Sequence, residues 1–215
     1  MTDRLLKLAS AKYRLTEIST GEFSTVKASG MKFKTSAYHA EGLGRISVMT
    51  ASGFFGLMKM DTVIIVPTEL DLPLYSYDRI HAMGNDTLIV ELYDTTVREY
   101  DDSALSAVKE RFVHLAERDP GEHWYDSIKL KSSISKKGKK ASTPAIDELA
   151  IEHFSAFINA DAAPVSDIDK KRERTEYYVN GLLERGGPST DAFIKALGRE
   201  KTETLFKTVL FGTEK

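Results

Sequence analysis

The chain has 215 residues, 41% hydrophobic and 29% charged, with a formal net charge of −2 and no cysteine. That composition suits a globular domain able to bury a full core, and so small a charge sets up no whole-molecule field for nucleic acid or an anionic membrane. Missing thiols exclude disulfides, thiolate metal sites and a cysteine nucleophile, and suit a reducing compartment.

No apolar run approaches the ~20 residues of a membrane span, and the opening Met1-Thr2-Asp3-Arg4 is no secretory leader. The expectation is a cytoplasmic protein forming a single domain over residues 1–215. In chain order, Leu5, Leu6, Leu8 and Ala9 share one helical face, which predicts a helix over residues 2–12. Residues 13–36 are polar, with Gly21 and Gly30, and predict only loose or edge strands. Residues 45–51 (RISVMTA) alternate as a strand, and Ser52-Gly53 turns the chain into a second strand over 54–67. Gly42 and Gly44 lack the strand-loop-helix setting of a phosphate loop and read as a turn. Strands at 74–82 and 87–93 are joined by Gly84-Asn85, residues tolerant of positive φ, which predicts a hairpin. All these connections are too short for crossover helices, so the strands form an antiparallel meander.

After Asp94 the period changes. Asp102 or Ser103 can cap a helix carrying Leu105, Val108, Phe112 and Leu115, which Asp119-Pro120-Gly121 ends. A further strand is predicted over 127–135. Residues 129–140 hold six lysines and no acid, either a solvated mobile loop or a patch for an anionic ligand. Thr143-Pro144 opens a strong helix, Ser166 with Asp169 resembles a capping box for a helix over 168–183, and two more helices follow over 189–197 and 200–211. Strands first and helices after make this an α+β chain.

The five histidines form no i,i+4 pair and no His-x-His, so a metal site would have to be assembled across the fold. Asp61 and Asp78 are more informative, because each interrupts an apolar strand and the two strands are neighbours. Either both carboxylates point to water on an open face, or they share an apolar cavity with raised pKa values and donate protons.

One stretch carries a resemblance. Ile64-Ile65-Val66-Pro67, followed by Leu72-Pro73-Leu74-Tyr75-Ser76-Tyr77-Asp78, resembles the ferredoxin-dependent bilin reductases, where a strand ending in Phe-Pro precedes a proline-led motif closing on aspartate. Trp124-Tyr125-Asp126 before the lysine-rich segment, residues 157–164 (FINADAAP), and the ending from Ala196-Leu197-Gly198 to Val209-Leu210-Phe211 are similar to that family in the same order. The resemblance runs from Arg45 to the end of the chain; red chlorophyll catabolite reductase belongs to the same superfamily. It implies a three-layer α/β/α sandwich with one central antiparallel sheet, and a linear tetrapyrrole (bilin) held between that sheet and the C-terminal helices. It also implies no bound flavin or metal, and electrons delivered singly by reduced ferredoxin. Asp78 matches the family's proton-donating aspartate, and Asp61 stands where some members carry a catalytic histidine. Lys129 and Lys136 are the lysines expected to reach inward to propionates or to ferredoxin, and Arg45 joins them as a substrate-binding candidate. A glutamate of some members has no counterpart in Ser47-Val48-Met49-Thr50-Ala51, nor a late aspartate in Arg185-Gly186-Gly187-Pro188. Such a simplified site fits either a different reduction or a tetrapyrrole carrier without a redox role.

Overall fold

Residues 1–187 and 190–214 are described by a computed structural model. Eight strands make one sheet: β1 (Leu15–Ile18), β2 (Thr25–Ala28), β3 (Met31–Ala40), β4 (Gly44–Gly53), β5 (Met58–Pro67), β6 (Leu74–Ala82), β7 (Asn85–Tyr93) and β8 (Ile134–Lys139). From β3 to β8 every strand pairs antiparallel with the next, while β1 and β2 lie one beyond the other along the free edge of β3. Helices α1 (Thr2–Lys12), α2 (Ser103–Arg111) and α3 (Thr143–Ile158) cover one face. The other face lies under α4 (Ile168–Arg185), α5 (Thr190–Leu197), α6 (Arg199–Thr204) and a wide π turn, Leu205–Leu210. The architecture is the expected three-layer sandwich around one antiparallel sheet. Among the described residues, no helix is long and apolar enough to cross a membrane.

Period-two alternation decides which layer each strand residue serves. Ile46, Val48, Val63, Ile65, Tyr75, Tyr77, Leu88 and Val90 pack under α1 to α3, with Leu149, Phe154 and Phe157 of α3 against them. Their neighbours Met49, Ala51, Ile64, Val66, Leu74 and Tyr93 pack under α4 and the C-terminal turn, against Tyr178, Val179, Phe206 and Leu210.

Several local expectations need correction. Residues 31–40 form a full ten-residue strand that buries Met31, Phe33, Thr35 and Ala37 on alternate positions. Strand β5 starts at Met58, because residues 54–56 make a tight turn with Phe54 and Phe55 at φ 52° and 56°. Helix α2 stops at Arg111, although Phe112 and Leu115 stay buried. The cap of α4 is Asp167, whose carboxylate accepts from the Lys170 amide at 3.0 Å, rather than Ser166. The lysine-rich segment divides: residues 130–133 are turn and irregular chain, and the strand predicted over 127–135 instead runs Ile134–Lys139, the edge strand of the sheet. The last predicted helix is two pieces, α6 and the π turn. The predicted start of the preceding helix at Ser189, with Pro188 before it, lies outside the described residues.

Candidate functional site

Between the sheet and the C-terminal helices lies a cavity of about 80 Å³. Four neighbouring strands supply its floor through alternate side chains: Met49 from β4, Thr62 and Ile64 from β5, Ser76 and Asp78 from β6, and Glu91 and Tyr93 from β7. Its cover is apolar and aromatic, with Tyr178 and Leu182 from α4, Phe193 from α5, and Phe206, Leu210 and Phe211 from the C-terminal turn. Tyr125 closes the side.

Asp78 is the charged group that this surrounding strains most. Thr62 is its direct cross-strand partner, and the threonine hydroxyl donates to Asp78 Oδ1 at 2.5 Å. No cation lies within ion-pair range of it among the described residues, and the residue lines the cavity. Burial therefore dominates. It pushes the Asp78 pKa up to about 6, with Glu91 adding in the same direction and the Thr62 hydrogen bond opposing both.

A second acid faces the cavity. Glu91 accepts a hydrogen bond from the Tyr93 hydroxyl at 2.6 Å, and Lys129 Nζ stands 3.7 Å from its other oxygen. Tyr93 stacks on Tyr178 at a centroid distance of 4.0 Å and meets Tyr125 edge-on at 5.4 Å. Burial raises all three phenols above their ordinary pKa, so each is a neutral hydrogen-bond donor at physiological pH. An aromatic-walled slot with a partly protonated carboxyl on its floor can seat a flat conjugated ligand and give it a proton.

The other predicted site residues scatter. Asp61 pairs in register with Arg79, not with Asp78, so it projects from the opposite face, where its carboxylate meets the Met1 amino group at 3.1 Å. One residue of register separates the expected shared cavity from this arrangement. Lys136 also turns away: it is 1% exposed, on the α2–α3 face, donating to Glu117 at 2.6 Å and to the Leu115 carbonyl at 3.1 Å. Arg45 is on the cavity face but gives its donors to the C-terminal turn, with Nε on the Val209 carbonyl at 2.9 Å and Nη2 on that of Thr208 at 2.7 Å. Beside it, Ser47 Oγ donates to the same Val209 carbonyl at 2.9 Å. Lys129 alone of the three cations reaches a cavity-lining side chain, bonded to Asp126 and 3.7 Å from Glu91 without itself lining the cavity. His153 is fully buried, within 3.3 Å of the Tyr75 hydroxyl and 3.2 Å of the Ser132 carbonyl, and burial lowers its pKa to about 4.

Thr62 and Glu91 had escaped the sequence reading. Alternation alone could have found them: in β7, Leu88 and Val90 face one layer, so Glu91 must face the other.

No protein-family model matches the sequence, and a search of curated proteins finds no match. Among solved structures the fold is similar to that of phytochromobilin synthase from tomato, determined in complex with biliverdin. The superposition gives a TM-score of 0.72 at 11% sequence identity and covers 99% of this chain and 83% of that one. So low an identity establishes a shared fold, the α+β sandwich built on one large antiparallel sheet.

Proposed function

We propose that this protein binds a linear tetrapyrrole between the sheet and α4 to α6, and reduces one of its double bonds. Reduced ferredoxin would supply two electrons one at a time, and the protein two protons, the first from Asp78. The observation that carries this reading is Asp78: a carboxyl with no cationic partner and a pKa near 6, set in an aromatic cavity. An acid of that strength is partly protonated at neutral pH yet gives its proton up readily, as general acid catalysis asks. Glu91, bonded to the neutral Tyr93, is the nearby acid through which the second proton would travel. The order of sequence motifs and the fold shared with a biliverdin-bound enzyme support the substrate class.

Cavity size adds a requirement. Sites for ligands of this mass span ~300–1,000 Å³, against about 80 Å³ here. The C-terminal turn must swing away from the floor to admit a tetrapyrrole, and Arg45 and Ser47 are the side chains that hold it down.

A tetrapyrrole carrier is the second reading, favoured by the lack of any acid in residues 47–51 and 185–187. Adding biliverdin and recording the visible spectrum tests both. A shifted, saturable absorbance is expected, followed by bleaching of the bound pigment once reduced ferredoxin is added. Asp78→Asn should keep the first change and slow the second by ~10²–10⁴-fold. Binding without any reduction by the parent protein would make it a carrier, and an unchanged spectrum would sink both readings.

A further inference from the structure

One end of the sheet is built unlike the rest of the surface. Met31, Gly53, Met58, Ala82, Asn85 and Lys139 form one register row across six strands, so the β2–β3, β4–β5 and β6–β7 turns all emerge along a single rim with the end of β8. From that rim project Phe54, Phe55, Leu57 and Met83, at 55%, 108%, 67% and 87% exposure. Phe54, Phe55 and Met83 are held there on left-handed backbone, at φ 52°, 56° and 51°, a conformation that costs side chains other than glycine free energy. A carbon added to Gly30 would meet the Phe54 ring at 3.7 Å, so the first two turns lie side by side.

The charge around these turns has one sign. Residues 25–34, 52–60, 80–87 and 137–142 carry seven lysines: Lys27, Lys32, Lys34, Lys59, Lys137, Lys139 and Lys140. All seven are exposed, and none is in an ion pair among the described residues. The only carboxylate in those segments, Asp86, is buried against Arg79. Lys27, Lys32 and Lys59 fall in the row directly behind the rim, in register with Ser52 and His81. A net charge of −2 for the whole chain averages this pole away.

We infer that this rim is a docking surface for an anionic lipid bilayer, with the four apolar side chains entering the headgroup–acyl boundary and the lysines lying at headgroup level. The order of layers selects that occupant. Apolar groups are outermost on two separate convex turns, with Lys27, Lys32 and Lys59 one strand position behind, the order in which a bilayer presents its acyl and anionic layers. An acidic protein would answer the lysines but offer nothing for side chains standing alone at turn tips. The rim is four residues along β6 from Asp78, about 13 Å, so docking leaves the cavity untouched and does not depend on its ligand.

Sedimentation with vesicles tests this on the intact protein. Vesicles of phosphatidylcholine mixed with phosphatidylserine should carry it down, and phosphatidylcholine alone should not. Raising salt should release it. Phe55→Asn, a residue tolerant of the left-handed backbone, combined with Leu57→Asn, should weaken partitioning about tenfold or more without changing thermal stability. Lys32→Glu with Lys59→Glu should weaken it by a similar factor at low salt. Equal sedimentation with both vesicle types, or none with either, overturns the inference. So does lipid binding indifferent to Phe55 and Leu57. Self-association in the absence of lipid that Phe55→Asn abolishes would give the rim to a second copy, and capture of an acidic ferredoxin with no vesicle binding would give it to a protein; either result overturns it too.

Discussion

Two carboxylates on opposite faces of the same sheet are treated in opposite ways. Asp86 on β7 is buried among partners: Arg79 grips both its oxygens, one at 2.6 Å, Thr143 donates at 2.7 Å, and His81 stands at 3.4 Å. A further acid, Asp147, meets the same guanidinium at 3.1 Å. Asp78 on β6 is next to Arg79 in sequence, yet it receives nothing from it, because adjacent residues of a strand point to opposite faces. Among the described residues, its side chain's sole hydrogen bond is from Thr62. A fold that compensates one buried acid so thoroughly has the means to compensate the other, and leaves it bare. The first is structural in its effect, a charge fixed into the α3 layer. The second keeps its proton to higher pH than an exposed carboxyl, because burial raises its pKa to about 6.

The largest effect should come from breaking the compensated side. Arg79→Met keeps the volume but strands Asp86 in the interior, and should cost about 3–5 kcal/mol, read as a lower denaturant midpoint. Asp78→Asn should do the reverse. The folded pKa of about 6 lies above the ordinary carboxylate value of 3.8, so the native state binds more protons than the unfolded chain between those values. Stability therefore falls as pH rises through that window and stays lower above it. Asparagine removes the penalty, so the variant should exceed the parent by about 3 kcal/mol at pH 7 and nearly match it near pH 4.

On the α3 face His153 has the opposite slope. Its folded pKa of about 4 is below the ordinary imidazole value of 6.5, so protonation favours the unfolded chain, and stability drops as pH falls from 6.5 towards 4. His153→Gln should flatten that acid limb by about 3 kcal/mol at its foot, measured by denaturation at each pH. The two slopes partly cancel in the parent, and only the pair of variants separates them.

Much of this contrast was legible in the sequence, but only to the resolution of one residue. An acid inside Leu74-Tyr75-Ser76-Tyr77 and its sequel marks Asp78 as anomalous whatever the register, and the antiparallel meander follows from the short connections. Asp61 looked equivalent, and it is excluded from the cavity solely because Thr62 rather than Asp61 pairs with Asp78. Strand β3 reads in the sequence only as loose or edge strand, because its inward positions include Thr35 and Ala37, which carry a weak hydrophobic signal. Lys136 was misread for a different reason. A buried ammonium is tolerable only with partners, and its partners Glu117 and Leu115 arrive from an irregular segment that no pattern places. Arg45 has the same history: its carbonyl partners belong to a π turn, which local sequence does not announce.

The smallest expected effect concerns the lid over the uncompensated acid. Ser47→Ala removes one of two donors to the Val209 carbonyl and leaves Arg45 in place. A loss of about 1 kcal/mol should result, together with faster biliverdin entry in stopped-flow absorbance. An unaltered entry rate would detach this clamp from ligand access.

The central claim is that Asp78 is an uncompensated acid in contact with the tetrapyrrole. It is tested most directly by following the side-chain carboxyl carbons of Asp78 and Asp86 by NMR across a pH titration, with and without biliverdin. The account predicts a midpoint near 6 for Asp78 that moves when the pigment is added, while the Asp86 signal is indifferent to it. A midpoint for Asp78 near 3.8, unmoved by biliverdin, would contradict it.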